Sequence, residues 1–169
     1  MRGVFSFPNP VNDVAARTVA TGVVLLSGLT LGTGQHWLTF LLAYGFVARV
    51  LTGPTLSPLG QLATRIVAPR LRRWQKFTPG PPKRFAQAIG ACFTVSAMCL
   101  WLAGEPFASN VVIAVLIVPA TLEAAFGICL GCQVFRALMR LRLVPESACL
   151  ECADLWGAPG RQNREFASG

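Results

Sequence analysis

Val111 to Cys129 reads VVIAVLIVPATLEAAFGIC, an apolar run broken by one acid, Glu123, and one proline, Pro119. A stretch of this length and composition is what a helix needs to cross a hydrocarbon core of about 30 Å. Three more apolar blocks lie upstream, at about residues 15–31, 37–51 and 85–102. Hydrophobic residues make up 53% of the chain and charged residues only 13%, about half the charge of a soluble domain. The mean hydropathy is +0.54. In lipid every backbone polar group must bond internally, so four such blocks predict an all-α polytopic membrane protein with four transmembrane helices. The second block is near the lower length limit for a span. Residues 1–154 read as one membrane domain and 155–169 as a disordered cytoplasmic tail, polar and rich in small residues.

Local signals support these boundaries. Asn12 is a good N-cap for the first span, with Asp13 at the positive helix end. Gly28 and Gly32 place two small residues four apart, a face suited to close helix packing. The opening segment lacks a small-x-small cleavage site and does not read as a signal peptide. Between the second and third spans, Ser57-Pro58 starts a helical pattern that Pro69 ends. Beyond it, Arg70, Arg72, Arg73 and Lys76 alternate with Leu71, Trp74 and Phe77. That pattern predicts an interfacial helix with its cations among anionic lipid headgroups. Thr78 to Pro82 reads as a stiff linker into the third span.

The formal net charge is +8, which in a soluble chain would point to nucleic acid. Its placement points instead to topology. The connection from Arg49 to Arg84 carries eight Lys and Arg, the terminal segments with their adjoining helix ends carry seven, and the two short joints carry none. The positive-inside rule puts both termini and the 52–84 loop in the cytoplasm. Nucleic acid is not expected as a partner.

Four of the six cysteines fall within Cys129-x-x-Cys132 and Cys149-x-x-Cys152. Two such pairs with this separation fall in the range of zinc sites. On the cytoplasmic side stable disulfides are rare, so the four sulfurs are either metal ligands, for zinc or an iron–sulfur cluster, or redox-active thiols. In the redox reading Cys149 attacks a partner's disulfide, or carries a sulfane sulfur, and Cys152 resolves it. Cys129 and Cys132 then form the second dithiol. Gly127 and Gly131 remove bulk beside the first pair and allow another backbone to approach.

Glu123 is the sole acid within a span, and an intramembrane charge usually faces the bundle and pairs. Arg17 or Arg49 is the expected partner. The helical period puts Glu123 roughly opposite Cys132, away from the thiols. Cys92 and Cys99 read as small buried hydrophobes, and His36 sits on an outer joint far from the cysteines. Pro119 should kink the fourth span.

Phe7-Pro8-Asn9-Pro10-Val11-Asn12, Pro81-Pro82-Lys83-Arg84-Phe85-Ala86-Gln87, Gly127-Ile128-Cys129-Leu130-Gly131-Cys132 and Val144-Pro145-Glu146 together resemble a bacterial family of integral membrane proteins that carries a domain-of-unknown-function label. The resemblance implies a four-helix inner-membrane protein and a thioredoxin-like or sulfurtransferase partner. The expected function is thiol–disulfide or sulfur exchange at a cytoplasmic two-CxxC centre. The alternatives are a non-enzymatic module with a structural four-cysteine zinc or iron–sulfur site, and a small transporter component built on Glu123 and the kinked helix.

Overall fold

A computed structural model of the chain describes residues 11–70, 77–78 and 80–141. The expectations for the 71–76 surface segment, for Cys149 and Cys152, and for the tail lie outside the described residues. The fold is all-α apart from a two-residue antiparallel pair, β1 (Val11–Asn12) with β2 (Phe77–Thr78), in the register Val11 to Thr78 and Asn12 to Phe77.

Helix α1 (Asp13–Thr33) starts where the Asn12 side chain accepts the Val14 N–H at 2.9 Å. It ends at Gly34, whose φ of 67° lets its N–H reach the Thr30 carbonyl. Helix α2 (Leu38–Thr52) follows, then α3 (Pro58–Leu62), a π turn (Ala63–Val67) and α4 (Ala68–Arg70). Ser57 caps α3 as the sequence suggests, its Oγ accepting the Gly60 N–H at 3.3 Å. Pro69 does not end the run, because α4 carries on through Arg70.

Helix α5 (Gly80–Leu102) begins inside the expected linker. Pro81 and Pro82 fall in its first turn, where a missing N–H leaves no helical bond unmade. Helix α6 (Pro106–Phe126) ends three residues before the expected boundary at Cys129. Gly127 adopts φ 69°, its N–H reaching Glu123 O at 3.0 Å while the Ile128 N–H reaches Leu122 O at 3.2 Å. This Schellman closure satisfies the last carbonyls and turns the chain back. Helix α7 (Leu130–Arg140) starts at once, with Cys129 as its N-cap.

Helices α1, α5 and α6 have 21, 23 and 21 residues and are long and apolar enough to cross a membrane. Helix α2 has 15, about 22 Å of rise, and is apolar but shorter than the hydrocarbon core. The bundle alternates up and down. At one end His36, before α2, bonds Asn110 of α6 at 3.1 Å and stacks on Trp101 of α5. At the other end the start of α1, the end of α2, the start of α5 and the end of α6 converge.

Val23, Leu42, Phe46, Ala97, Ile113 and Leu116 form the main core. A Cβ at Gly90 would strike the Phe46 ring, so glycine there lets α2 close on α5. The α3–π–α4 segment packs Ala63 and Ala68 on Ala15 and Val19 of α1. Leu25, Leu29, Val115, Val118 and Phe126 remain exposed, an apolar exterior suited to lipid. Gly28 and Gly32 lie on that exterior with open space beside them, so among the described residues nothing packs against the small-residue face. Cys92 and Cys99 are exposed on α5 rather than buried.

Candidate functional site

The site lies where four helix ends meet, and its centre is Lys83. In the first turn of α5, Lys83 has a side chain only 6% exposed, with Nζ 2.6 Å from Glu123 Oε1 and 3.6 Å from Asp13 Oδ1. The expected partners of Glu123 bond elsewhere. Arg17 donates to the Ala124 and Ala125 carbonyls at 3.3 and 2.5 Å, where its charge meets the negative end of α6. Arg49 is buried, with Nε donating to Gln87 Oε1 at 2.9 Å, a terminal nitrogen donating to Ser57 Oγ at 3.1 Å, and the guanidinium 4.5 Å from the Phe46 ring centre. Lys83 reaches Glu123 from the first turn of α5 across the contact between α5 and the end of α6.

The two thiols of Cys129 and Cys132 join this cluster. The expectation that Glu123 points away from them assumed one continuous helix, and the Gly127 reversal removes that assumption. Helix α7 folds back on α5, with Phe135 against Phe85, ring centres 5.4 Å apart. The two helices approach closely at Gly131, where a Cβ would lie 2.6 Å from Ala86 Cβ and 2.7 Å from Ala86 Cα. The backbone approach expected beside the first cysteine pair is thus made at Gly131, and Ala86 is its partner. The charges of Lys83 and Glu123 act on both sulfurs as a result.

Cys129 is buried and its Sγ accepts the Cys132 N–H at 3.3 Å. The hydrogen bond from the Cys132 thiol holds Cys129 below the ordinary thiol value, against burial and Glu123 and with help from Lys83 and the Cys132 N–H. The same hydrogen bond, with burial, pushes Cys132 far up. Cys129, which caps α7 and accepts the Cys132 N–H, is thus the sulfur at which a helix N-terminus favours a thiolate. Among the described residues no group of three or more His, Cys, Asp or Glu is placed to hold a metal ion. Two sulfurs of the expected four are in view, and Cys149 and Cys152 lie beyond residue 141.

Behind Cys129 a cavity of about 450 Å³ runs between α1, α5, α6 and α7. Its walls are mostly apolar, with Gln87, Glu123 and Cys129 as polar lining groups and Pro119 beside them. His36 is at the opposite end of the bundle, as its position on the joint between α1 and α2 suggests.

Sequence reasoning missed Lys83, Asp13 and Gln87 as members of the site. A signal was present. Lys83, Gln87, Gly90, Thr94 and Ala97 recur at spacings of four and three, a small and polar stripe on an otherwise apolar helix. All but the partly buried Gln87 are buried.

No curated protein and no solved structure matches the chain. Residues 11–140, from β1 through the Cys129–Cys132 pair to the last turn of α7, match the model of a family described as a domain of unknown function, DUF4395, and the chain belongs to that family.

Proposed function

We propose that this chain is a membrane-held dithiol protein that exchanges electrons or sulfur with a soluble partner at the inner surface of a bacterial inner membrane. The observation that carries the reading is the Cys129–Cys132 pair at the start of α7. Cys129 Sγ caps the helix and accepts the Cys132 N–H at 3.3 Å, and the Lys83 charge acts to lower its value. The Cys129 thiolate attacks a disulfide sulfur of the partner, and the partner's other sulfur leaves as a thiolate. Cys132 then attacks the mixed disulfide at Cys129 Sγ, and the partner departs reduced. The reverse sequence draws two electrons from a reduced partner. Cys149 and Cys152, the attacking pair expected from the sequence, take in this reading the place of the second dithiol, passing electrons or sulfur to the first pair.

The reading includes four spans with both termini inside. Its support is the count of eight, seven and zero basic residues among the connections. Helix α2 becomes the fourth span by local thinning of the bilayer around its 15 residues, with Trp37 at the far interface.

Trapping tests the chemistry. Cys132→Ser keeps a hydroxyl donor beside Cys129 but removes the resolving sulfur. A disulfide-linked adduct with a purified, oxidised thioredoxin-like protein is expected, and Cys129→Ser should abolish it. Equal adduct in both variants would refute the assignment. Labelling of single-cysteine variants with a charged maleimide tests the topology, since reaction at Cys149 from outside intact cells would contradict it.

A further inference from the structure

We propose that the cavity behind Cys129 binds a lipid-soluble quinone, which takes two electrons and two protons from the Cys129–Cys132 dithiol. The inference rests on the dithiol reading above and names the partner on the lipid side of the same site.

The cavity volume of about 450 Å³ is in the range of sites for small organic ligands. Phe46 and Phe93 are among its lining residues, and aromatic side chains pack well against a flat conjugated ring. Its polar groups lie at the end nearest Lys83. Gln87, one turn along α5 from Lys83, has its Oε1 engaged by Arg49 at 2.9 Å. The Gln87 amide nitrogen is then the group left to donate to a quinone carbonyl. Glu123 supplies an acceptor for a hydroquinone hydroxyl, and Cys129 borders the same space.

Four large apolar residues of the lining are exposed: Leu130 and Val134 in α7, and Val115 and Val118 in α6. Val115 and Val118 line the cavity yet are 49% and 58% exposed, on the outer side of a membrane-length helix. A ligand entering there comes from the hydrocarbon. An acyl chain would suit the walls but would give the Gln87 amide nitrogen no acceptor. A quinone matches both parts, and it is a two-electron acceptor as the dithiol is a two-electron donor.

In the first step the Cys129 thiolate adds to a quinone carbonyl carbon, forming an S–C bond. Cys132, losing its proton, then attacks Cys129 Sγ, so that the S–S bond forms and the S–C bond breaks. The S–C electron pair flows through the ring to the second oxygen. The Cys132 proton and one taken up from water, replacing the proton Cys129 gave up on ionising, finish on the two oxygens, giving one disulfide and one hydroquinone.

The test uses the full chain, reduced, in anaerobic lipid nanodiscs, with a short-chain benzoquinone in one arm and a water-soluble disulfide in the other. The quinone arm should yield one hydroquinone and one Cys129–Cys132 disulfide per chain, read by absorbance and by mass after alkylation. Cys129→Ser should abolish both products. Val115→Trp, which sets an indole across the mouth, should raise the quinone concentration for half-maximal rate on the order of tenfold without lowering the maximal rate. Oxidation by the soluble disulfide but not by the quinone would overturn this inference and leave the dithiol reading standing. Oxidation by neither would overturn both. Hydroquinone formation that ignores Val115→Trp would remove the cavity from the reaction, as would a phospholipid that occupies the cavity and that quinone fails to displace.

Discussion

Lys83 and Glu123 are forty positions apart in the chain, and their charged atoms are 2.6 Å apart in the fold. This ion pair joins the start of α5 to the end of α6, with Asp13 at the start of α1 as a second anion on the same ammonium. It also sets the charge beside the Cys129–Cys132 pair. Structure and chemistry therefore depend on the same two side chains, and the two roles separate by mutation.

Removing Lys83 leaves two carboxylates in a partly buried cluster without their cation. Lys83→Met is expected to cost about 3–5 kcal/mol, as for other half-broken buried pairs. Adding Glu123→Gln should recover much of that loss, because the carboxylate bonded most closely to Lys83 is then neutral. Unfolding of the detergent-solubilised protein by a denaturing detergent measures both, and a double variant less stable than Lys83→Met would contradict the pairing.

The thiols should respond to the same two variants with opposite signs. Lys83 lowers the Cys129 value and Glu123 raises it. Lys83→Met therefore reduces the thiolate fraction at neutral pH and slows alkylation of Cys129, whereas Glu123→Gln speeds it. In the wild type Cys129 should alkylate first, at a pH below that of an ordinary thiol, and Cys132 should lag. Rates by mass spectrometry across the neutral to alkaline range decide this, and Cys132 reacting first would overturn the assignment of the nucleophile.

Helix α7 docks through a glycine. In Gly131→Ala the new Cβ meets the Cβ and Cα of Ala86 at 2.6 and 2.7 Å, and neither atom can swing aside. Displacement of α7 should cost about 1–3 kcal/mol and expose Cys129 to alkylating reagents. Ala86→Gly should rescue it only in part, since the backbone of residue 86 remains in the way. Full rescue would mean that the methyl group alone, and not the backbone behind it, limits how closely the helices approach.

The outward position of Cys92 and Cys99 on α5 gives a direct test of that helix as a span. In native membranes both should react with an apolar maleimide and resist a charged one. Reaction of both with the charged reagent would show that α5 does not lie in lipid.

Composition and periodicity alone marked out an all-α chain with helices long and apolar enough to cross a membrane, and their approximate positions, because hydrophobic length is a local property. The caps at Asn12 and Ser57 were legible for the same reason, since a cap bonds to a backbone N–H two or three residues away. The boundary at Gly127 was not. A glycine followed by Ile128 and Cys129 is compatible with a continuing apolar helix, and only the αL closure, stabilised as α7 folds back on α5, ends it. From that one reversal came the two largest departures: Glu123 turned toward the thiols, and Cys129 became an N-cap rather than the last residue of a span. The partner of Glu123 was likewise hidden. Lys83 was read as a topology charge, and depth along a helix ranks candidates without saying which two helices pack side by side. The sequence by itself determined what each segment prefers to do in lipid and in water. Only the tertiary structure decided which charges and sulfurs share a site, because an ion pair or a close backbone approach between distant segments depends on helix packing and on the hand of a single turn.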